Sequence, residues 1–206
     1  MPQATDTHNM LDYEAERRAF TLTAPDDFNW AYDVIDRWAE DPQQLAMVWV
    51  SPQGEERRLT FADFRRRANQ VANALTELGV QRGERVFLML PRLVEWWEAI
   101  LGIMKIGAVS MPGTTLLTPK DIVYRANLAD TRVVITDAAN APKFDEVRAQ
   151  CPTVEIFIVV DGERAGWTSY REIVNAASAE RLRLATPSSD PCMIYFTSGT
   201  GGYPKM

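Results

Sequence analysis

The densest concentration of chemically able side chains lies at the end of the chain, where residues 195–205 read Y-F-T-S-G-T-G-G-Y-P-K. An apolar run at residues 193–196 feeds a loop built almost wholly of hydroxyl and glycine residues, and the loop ends in Lys205. Glycines let a backbone approach an anion and turn its N–H groups toward it, while Ser and Thr hydroxyls add donors. A terminal lysine adds a mobile point charge suited to the outer phosphates of a nucleotide. The plainer reading is an ordinary Gly/Ser/Thr loop after a strand. Two common phosphate motifs do not fit. The P-loop needs Gly-Lys-Ser/Thr, but Pro204 precedes Lys205 and Met206 follows it. The dinucleotide fingerprint would start at Gly199 and Gly201, and its third glycine falls on Pro204.

Over its whole length the string resembles the phosphate-binding signature of the AMP-forming acyl- and aryl-CoA synthetases, luciferases and peptide-synthetase adenylation domains, T-S-G-T-T/S-G-x-P-K. Thr197, Ser198, Gly199, Thr200, Gly202, Pro204 and Lys205 match it in place, with Tyr203 at the free position. Gly201 departs from it, removing one hydroxyl and adding backbone freedom, which implies weaker or slower nucleotide handling. A second stretch resembles the medium-chain acyl-CoA synthetase branch: L-P-R-L-V-E-W-W from Leu90, M-P-G-T from Met111, and D-I-V-Y-R from Asp121. That branch often has a glutamine near its CoA site where this chain has Leu116. The resemblance runs from about Phe28 to Lys205.

The resemblance implies an α/β fold, the N-terminal part of the adenylate-forming synthetase fold, with a mainly parallel sheet covered by helices on both faces. Residues 1–25 are expected to form a polar lead and residues 26–206 an incomplete adenylation domain. It also implies a reaction in two halves. A fatty carboxylate attacks the α-phosphate of ATP, giving acyl-AMP and pyrophosphate, and CoA then displaces AMP. Because the nucleophile is already ionised, the first half needs charge neutralisation and in-line positioning, with Mg²⁺ and donors on the departing pyrophosphate. By this likeness residues 197–205 wrap the β- and γ-phosphates, Ser198 and Thr200 donate to their oxygens, and Lys205 is the catalytic cation. The adenine and ribose sites, the metal-binding glutamate, the acyl pocket and the small C-terminal domain are implied to lie beyond Met206. The partners are therefore a small carboxylic acid, ATP, CoA and the rest of the same polypeptide. The segment alone is expected to be inactive, at best a weak polyphosphate binder, with a raw sheet edge and poor solubility. Another adenylate-forming ligase, aryl-CoA or peptide-synthetase, and a degenerate non-catalytic product remain as alternatives.

Bulk properties narrow the partners. With 206 residues, 46% of them hydrophobic, the chain can bury a core. A net charge of −6 disfavours nucleic acid or an anionic membrane as the main partner. Cys151 and Cys192 are far apart without metal or redox spacing, which predicts buried reduced thiols in a cytoplasmic protein. The only histidine, His8, lies in the polar lead, so no metal site or histidine base is expected. Residues 1–9 lack the apolar core of a signal peptide, and no run approaches membrane-spanning length.

Periodicity supplies the elements meant to position the loop. Asp26 or Asp27 is expected to cap a helix with Ala31, Val34, Ile35 and Trp38 on one face, followed by a hairpin of residues 46–51 and 57–59. Thr60 and Asp63 read as a capping box for a helix with Phe61, Phe64, Ala68, Val71, Leu75 and Leu78 on one stripe, ended by Gly79. Arg65, Arg66 and Arg67 read as its solvated face. Strands at 86–90, 108–111, 133–136, 156–160 and 193–196 then alternate with helices at 94–105, 119–128, 141–150 and 169–179, the second capped by Thr118 and the last by Thr168. Such alternation means crossovers and a parallel sheet. Residues 185–191 read as a connector to the last strand. Ligands gather at the carboxyl ends of such strands. There the loop after Phe196 is expected to meet Pro112-Gly113-Thr114, although Pro-Gly after a strand is commonly a plain turn. Trp96 and Trp97 read as packing residues, one against the sheet and one against a helix.

Overall fold

A computed structural model describes residues 12–197 and 204–206. The polar lead contains a helix, α1 (Tyr13–Ala19), which buries none of its residues and whose Ala15 N–H donates to the capping Asp12 carboxylate. Residues 31–35 form a π-helical turn that runs into α2 (Asp36–Trp38). Neither Asp26 nor Asp27 caps it. The Asn29 carboxamide oxygen accepts the Ala31 N–H, and the Asn29 N–H donates to Asp33. Asp27 instead pairs with Arg183 and accepts from the Thr186 N–H. Ala31 and Ile35 are buried as expected, but Trp38 is 42% exposed and packs edge-on against Phe61. Strands β1 (Leu45–Val50) and β2 (Glu56–Thr60) make an antiparallel hairpin that forms its own two-stranded sheet.

The Thr60–Asp63 capping box starts α3 (Phe61–Glu77), and Gly79 ends it at φ +81°. The apolar stripe packs inward, with Phe64, Ala68, Val71 and Leu75 buried. Arg65 and Arg66 are exposed, but Arg67 turns inward to the buried Glu98, which the Tyr170 hydroxyl also contacts. The sequence expectation for Arg67 therefore fails: beside the local Gln70, its partners Glu98 and Asn175 lie 31 and 108 residues away, out of reach of a local reading.

The remaining units are β3 (Arg85–Met89), α4 (Val94–Lys105), β4 (Val109–Pro112), α5 (Pro119–Leu128), β5 (Thr131–Thr136) and α6 (Ala141–Val147). After α6 comes a short 3₁₀ turn, then β6 (Ile156–Val159), β7 (Thr168–Ser169) and α7 (Tyr170–Ala176). The main sheet has the order β4-β3-β5-β6-β7, every pairing parallel. Successive side chains alternate between its faces. Val86, Leu88, Val133, Ile135 and Ile158 pack with α3, α4 and α7, while Phe87, Met89, Val134 and Phe157 pack with α5 and α6. Helix α7 is shorter than expected and starts one residue later, because Thr168 is taken into β7 and Ser169 becomes the cap.

The joint between α3 and α4 is close. A Cβ added to Gly102 would sit 2.5 Å from Val71 Cγ1. Nearby, Lys105 is fully buried, with Nζ 2.6 Å from Asp36, 2.8 Å from Asn69 Oδ1 and 4.5 Å from the centre of the Tyr32 ring. Burial pushes the Asp36 carboxyl up and the Lys105 ammonium down, each opposed by the other's charge.

The connector to the last segment is longer than expected and is held along its length. From α3, Gln70 donates to the Ala177 carbonyl, Asn73 to those of Ser178 and Glu180, and Asn69 to that of Ala179. Arg181 then bonds Asn73, Arg183 joins Asp27 and Asp33, Asn29 reaches Thr186, and Arg82 meets Asp190.

Candidate functional site

An edge strand offers a row of unpaired N–H and C=O groups. At β4 part of that row is taken by the returning chain. The Ser110 N–H donates to Cys192 O at 3.1 Å, and the Ile194 N–H donates to Ser110 O at 2.9 Å. Ser110 and Met193 thus form a parallel bridge. The expected strand over 193–196 is reduced to this one bridge, and Tyr195 is 61% exposed because no strand among the described residues lies beyond it. The segment continues in the β4 direction, so Phe196 leaves the sheet at its carboxyl end, beside the turn after β4.

That turn has its own steric logic. A Cβ on Gly113 would meet Phe87 Cε2 at 2.5 Å and Leu117 Cδ1 at 3.1 Å, so only glycine lets the chain lie so close. Its N–H donates to Leu88 O at 3.0 Å. The Lys143 ammonium, from α6, donates to Thr115 O at 2.6 Å and adds a cation to this end of the sheet. Leu116 is 85% exposed.

Of the predicted loop, Thr197, Pro204 and Lys205 are described; Ser198, Gly199, Thr200, Gly201, Gly202 and Tyr203 lie outside the described residues, as does His8. Thr197 and Lys205 form an antiparallel bridge. The Thr197 N–H donates to Lys205 O at 2.9 Å, and the Lys205 N–H donates to Thr197 O at 3.3 Å. The two ends of the glycine-hydroxyl string are therefore tied together, and the Lys205 side chain stays exposed.

Helix α5 packs beneath this neck. Pro119 at its first position and a Thr118–Asp121 capping box fix its start, and Ile122 and Ala126 are fully buried. The Thr118 hydroxyl, followed by its backbone N–H, holds the Asp121 carboxyl below the usual carboxylate range. Tyr124 donates its hydroxyl to Pro204 O at 2.7 Å, and the Arg125 guanidinium lies 4.6 Å from the centre of the Phe196 ring. Neither contact is visible in the local sequence, since the partners stand 80 and 71 positions away; the Y-R pair within D-I-V-Y-R is the only trace.

Other expectations resolve differently. Cys151 is buried, with its thiol pushed up by burial, whereas Cys192 is exposed, because it sits on the connector just before the bridge to β4. Trp96 is half-buried, but Trp97 is 47% exposed. Both border an open apolar groove of about 630 Å³ shared with Trp30, Met47, Ile100 and Met193. Among the described residues no three His, Cys, Asp or Glu side chains converge, and no helix is long and apolar enough to cross a membrane.

This architecture has close counterparts. Acyl-coenzyme A synthetase ACSM3, mitochondrial, of Homo sapiens is 37% identical over 206 residues, covering 96% of this chain and 35% of the relative. The ACSM5 counterpart of Homo sapiens is 40% identical over 190 residues, covering 88% of this chain and 33% of the relative. Among solved structures, the Brucella canis acyl-CoA synthetase superposes with a TM-score of 0.84 at 29% identity, covering 94% of this chain and 37% of that one. The anthranilate CoA ligase AuaEII, in complex with anthranoyl-AMP, gives 0.78 at 30% identity, covering 88% and 34%. The chain thus spans about a third of the length of the curated relatives it matches. A family profile described as AMP-binding enzyme matches residues 35–206. On that match and the shared parallel sheet, the chain belongs to the AMP-binding enzyme family.

Proposed function

We propose that this chain is the N-terminal portion of an acyl-CoA synthetase that activates a short- or medium-chain fatty acid with ATP, giving acyl-AMP and pyrophosphate, and then forms the CoA thioester. In this reading residues 26–206 are the first part of its adenylation domain, and Thr197, Ser198, Gly199, Thr200, Gly201, Gly202, Tyr203, Pro204 and Lys205 grip the β- and γ-phosphates. The observation that carries it is the Thr197–Lys205 bridge. It closes a glycine- and hydroxyl-rich string at the carboxyl end of the segment beside β4, where open parallel sheets bind ligands.

The hydroxyls of Ser198 and Thr200 donate to phosphate oxygens, and Lys205 offsets charge as pyrophosphate departs. Mg²⁺ carried with ATP neutralises further charge on the polyphosphate. The remaining contacts to adenine, acyl chain and CoA are assigned to the part of the relatives that this chain does not span, so the segment alone is proposed to be inactive. The cytoplasmic setting stays a proposal resting on two free thiols; the similar human proteins carry "mitochondrial" in their names.

The test is ATP–pyrophosphate exchange in an enzyme that carries this chain followed by a downstream portion like that of the relatives. Lys205→Ala is expected to lower exchange roughly 100- to 1000-fold while leaving carboxylate binding nearly intact. Unchanged exchange refutes the assignment. An aryl acid is the second reading, favoured by the likeness to the anthranilate CoA ligase; comparing butyrate with benzoate as substrates separates the two.

A further inference from the structure

We infer that Tyr124 and Arg125 of α5 act as a two-sided clamp on the neck of the glycine-hydroxyl loop, and are positioning residues for polyphosphate binding. The inference rests on the phosphate-binding reading above. A short glycine-rich string is costly to order around an anion, because a glycine backbone loses more conformational entropy than that of any other residue. Its affinity therefore depends on how much of that ordering is done beforehand. The Thr197–Lys205 bridge contributes part of it, but an isolated pair of backbone hydrogen bonds on an exposed Thr197 and Lys205 is weak in water.

Helix α5 reinforces the bridge from both sides. Consecutive helical residues point about 100° apart, so Tyr124 and Arg125 approach the neck from different directions, Tyr124 touching both of its strands and Arg125 the outgoing one. Tyr124 takes the returning strand, through a 2.7 Å hydrogen bond to Pro204 O. Pro204 has no N–H, so its carbonyl is the one backbone group at which that residue can be held. Arg125 takes the outgoing strand, its guanidinium 4.6 Å from the Phe196 ring centre, while the Tyr124 ring meets the same phenyl edge-on at 6.4 Å. The Arg125 Nε is buried and has no hydrogen-bond partner among the described residues, while its guanidinium faces the Phe196 ring and also acts on the Asp121 carboxylate through its charge. Such a cation–π contact gains strength as it loses water. The platform itself is rigid, being doubly capped at its start and anchored by Ile122 and Ala126.

The test uses Tyr124→Phe, Arg125→Met and Arg125→Lys in the 206-residue chain, read by amide hydrogen exchange and by titration with inorganic tripolyphosphate. Exchange at Thr197 and Lys205 is expected to quicken roughly five- to tenfold in Tyr124→Phe and Arg125→Met, with Val134 and Ile135 in β5 unchanged as the control for intact folding. Tripolyphosphate affinity is expected to fall by a similar factor, and Arg125→Lys to recover part of both effects. Neck exchange that does not move in either variant overturns the clamp. Affinity that falls without any change in exchange also overturns it, because it shows direct anion contact instead of positioning. A looser neck with no tripolyphosphate affinity in any form, wild type included, upholds the clamp's mechanics but overturns the phosphate reading beneath it.

Discussion

Gly102→Ala is the substitution for which local and tertiary physics disagree in sign. In an exposed helix interior, glycine to alanine stabilises by about 1 kcal/mol. Here the new methyl would lie 2.5 Å from Val71 Cγ1, 2.6 Å from Val71 Cβ and 3.1 Å from the Ala68 carbonyl oxygen. Carbon–carbon contacts settle near 3.5–4.0 Å, so α3 and α4 must part by about an ångström or Val71 must be displaced. Val71 is 1% exposed and β-branched, with little rotamer freedom inside α3. Overpacking of this kind costs about 1–3 kcal/mol, which cancels or outweighs the propensity gain and leaves a net loss of roughly 0–2 kcal/mol. Urea unfolding followed by tryptophan fluorescence measures it. The double variant Gly102→Ala/Val71→Ala is the sharper check, because the added methyl then occupies space that Val71 vacated. The pair should couple favourably by about 1–2 kcal/mol, within the range seen for contacting residues. A Gly102→Ala protein more stable than wild type, or a double variant whose losses simply add, would refute the close α3–α4 joint.

Three further outcomes follow from described contacts. Lys105→Met should cost about 2–4 kcal/mol in chemical denaturation, since it strands Asp36 with only a fifth of its side chain exposed, and Asp36→Leu added to it should recover part of the loss; a single-variant cost under ~1 kcal/mol would contradict the buried pair. The Thr60 backbone N–H holds the Asp63 carboxyl below its ordinary value, so its contribution is present above about pH 4 and fades as pH falls through the depressed folded value. Asp63→Asn should therefore destabilise at pH 7 by roughly 0.5–1 kcal/mol, with the gap closing under acid; a gap constant with pH would show that the charge is irrelevant. A disulfide-exchange thiol reagent should titrate the exposed Cys192 quickly and reach Cys151 only on unfolding, so equal rates would contradict their placement.

What could be read from the sequence is what is decided within a few residues. The capping pairs Thr60–Asp63 and Thr118–Asp121 span three positions, and the helices they start fall where the apolar spacing puts them. The parallel sheet was legible because strands buried on both faces are apolar throughout, as in Val86-Phe87-Leu88-Met89. Long-range pairings were not. Arg67 looks like its exposed neighbours until Glu98 arrives from another helix, and no residue near Lys105 in sequence marks its side chain as buried. The glycine-hydroxyl string was conspicuous by composition, but the side chains at its neck come from α5 and carry no local mark of that role.

The belt of amides that grips the backbone after α7 behaves as a ruler. Asn69, Gln70 and Asn73 lie on one side of a single helix and fix the chain at nearly every step from Ala177 to Glu180, so slack cannot accumulate there. One residue inserted before Cys192 would bring Cys192 opposite Ser110 in place of Met193, exchanging inward and outward faces from that point on. Tolerance to length change, usual in surface connections, is therefore lost at this one.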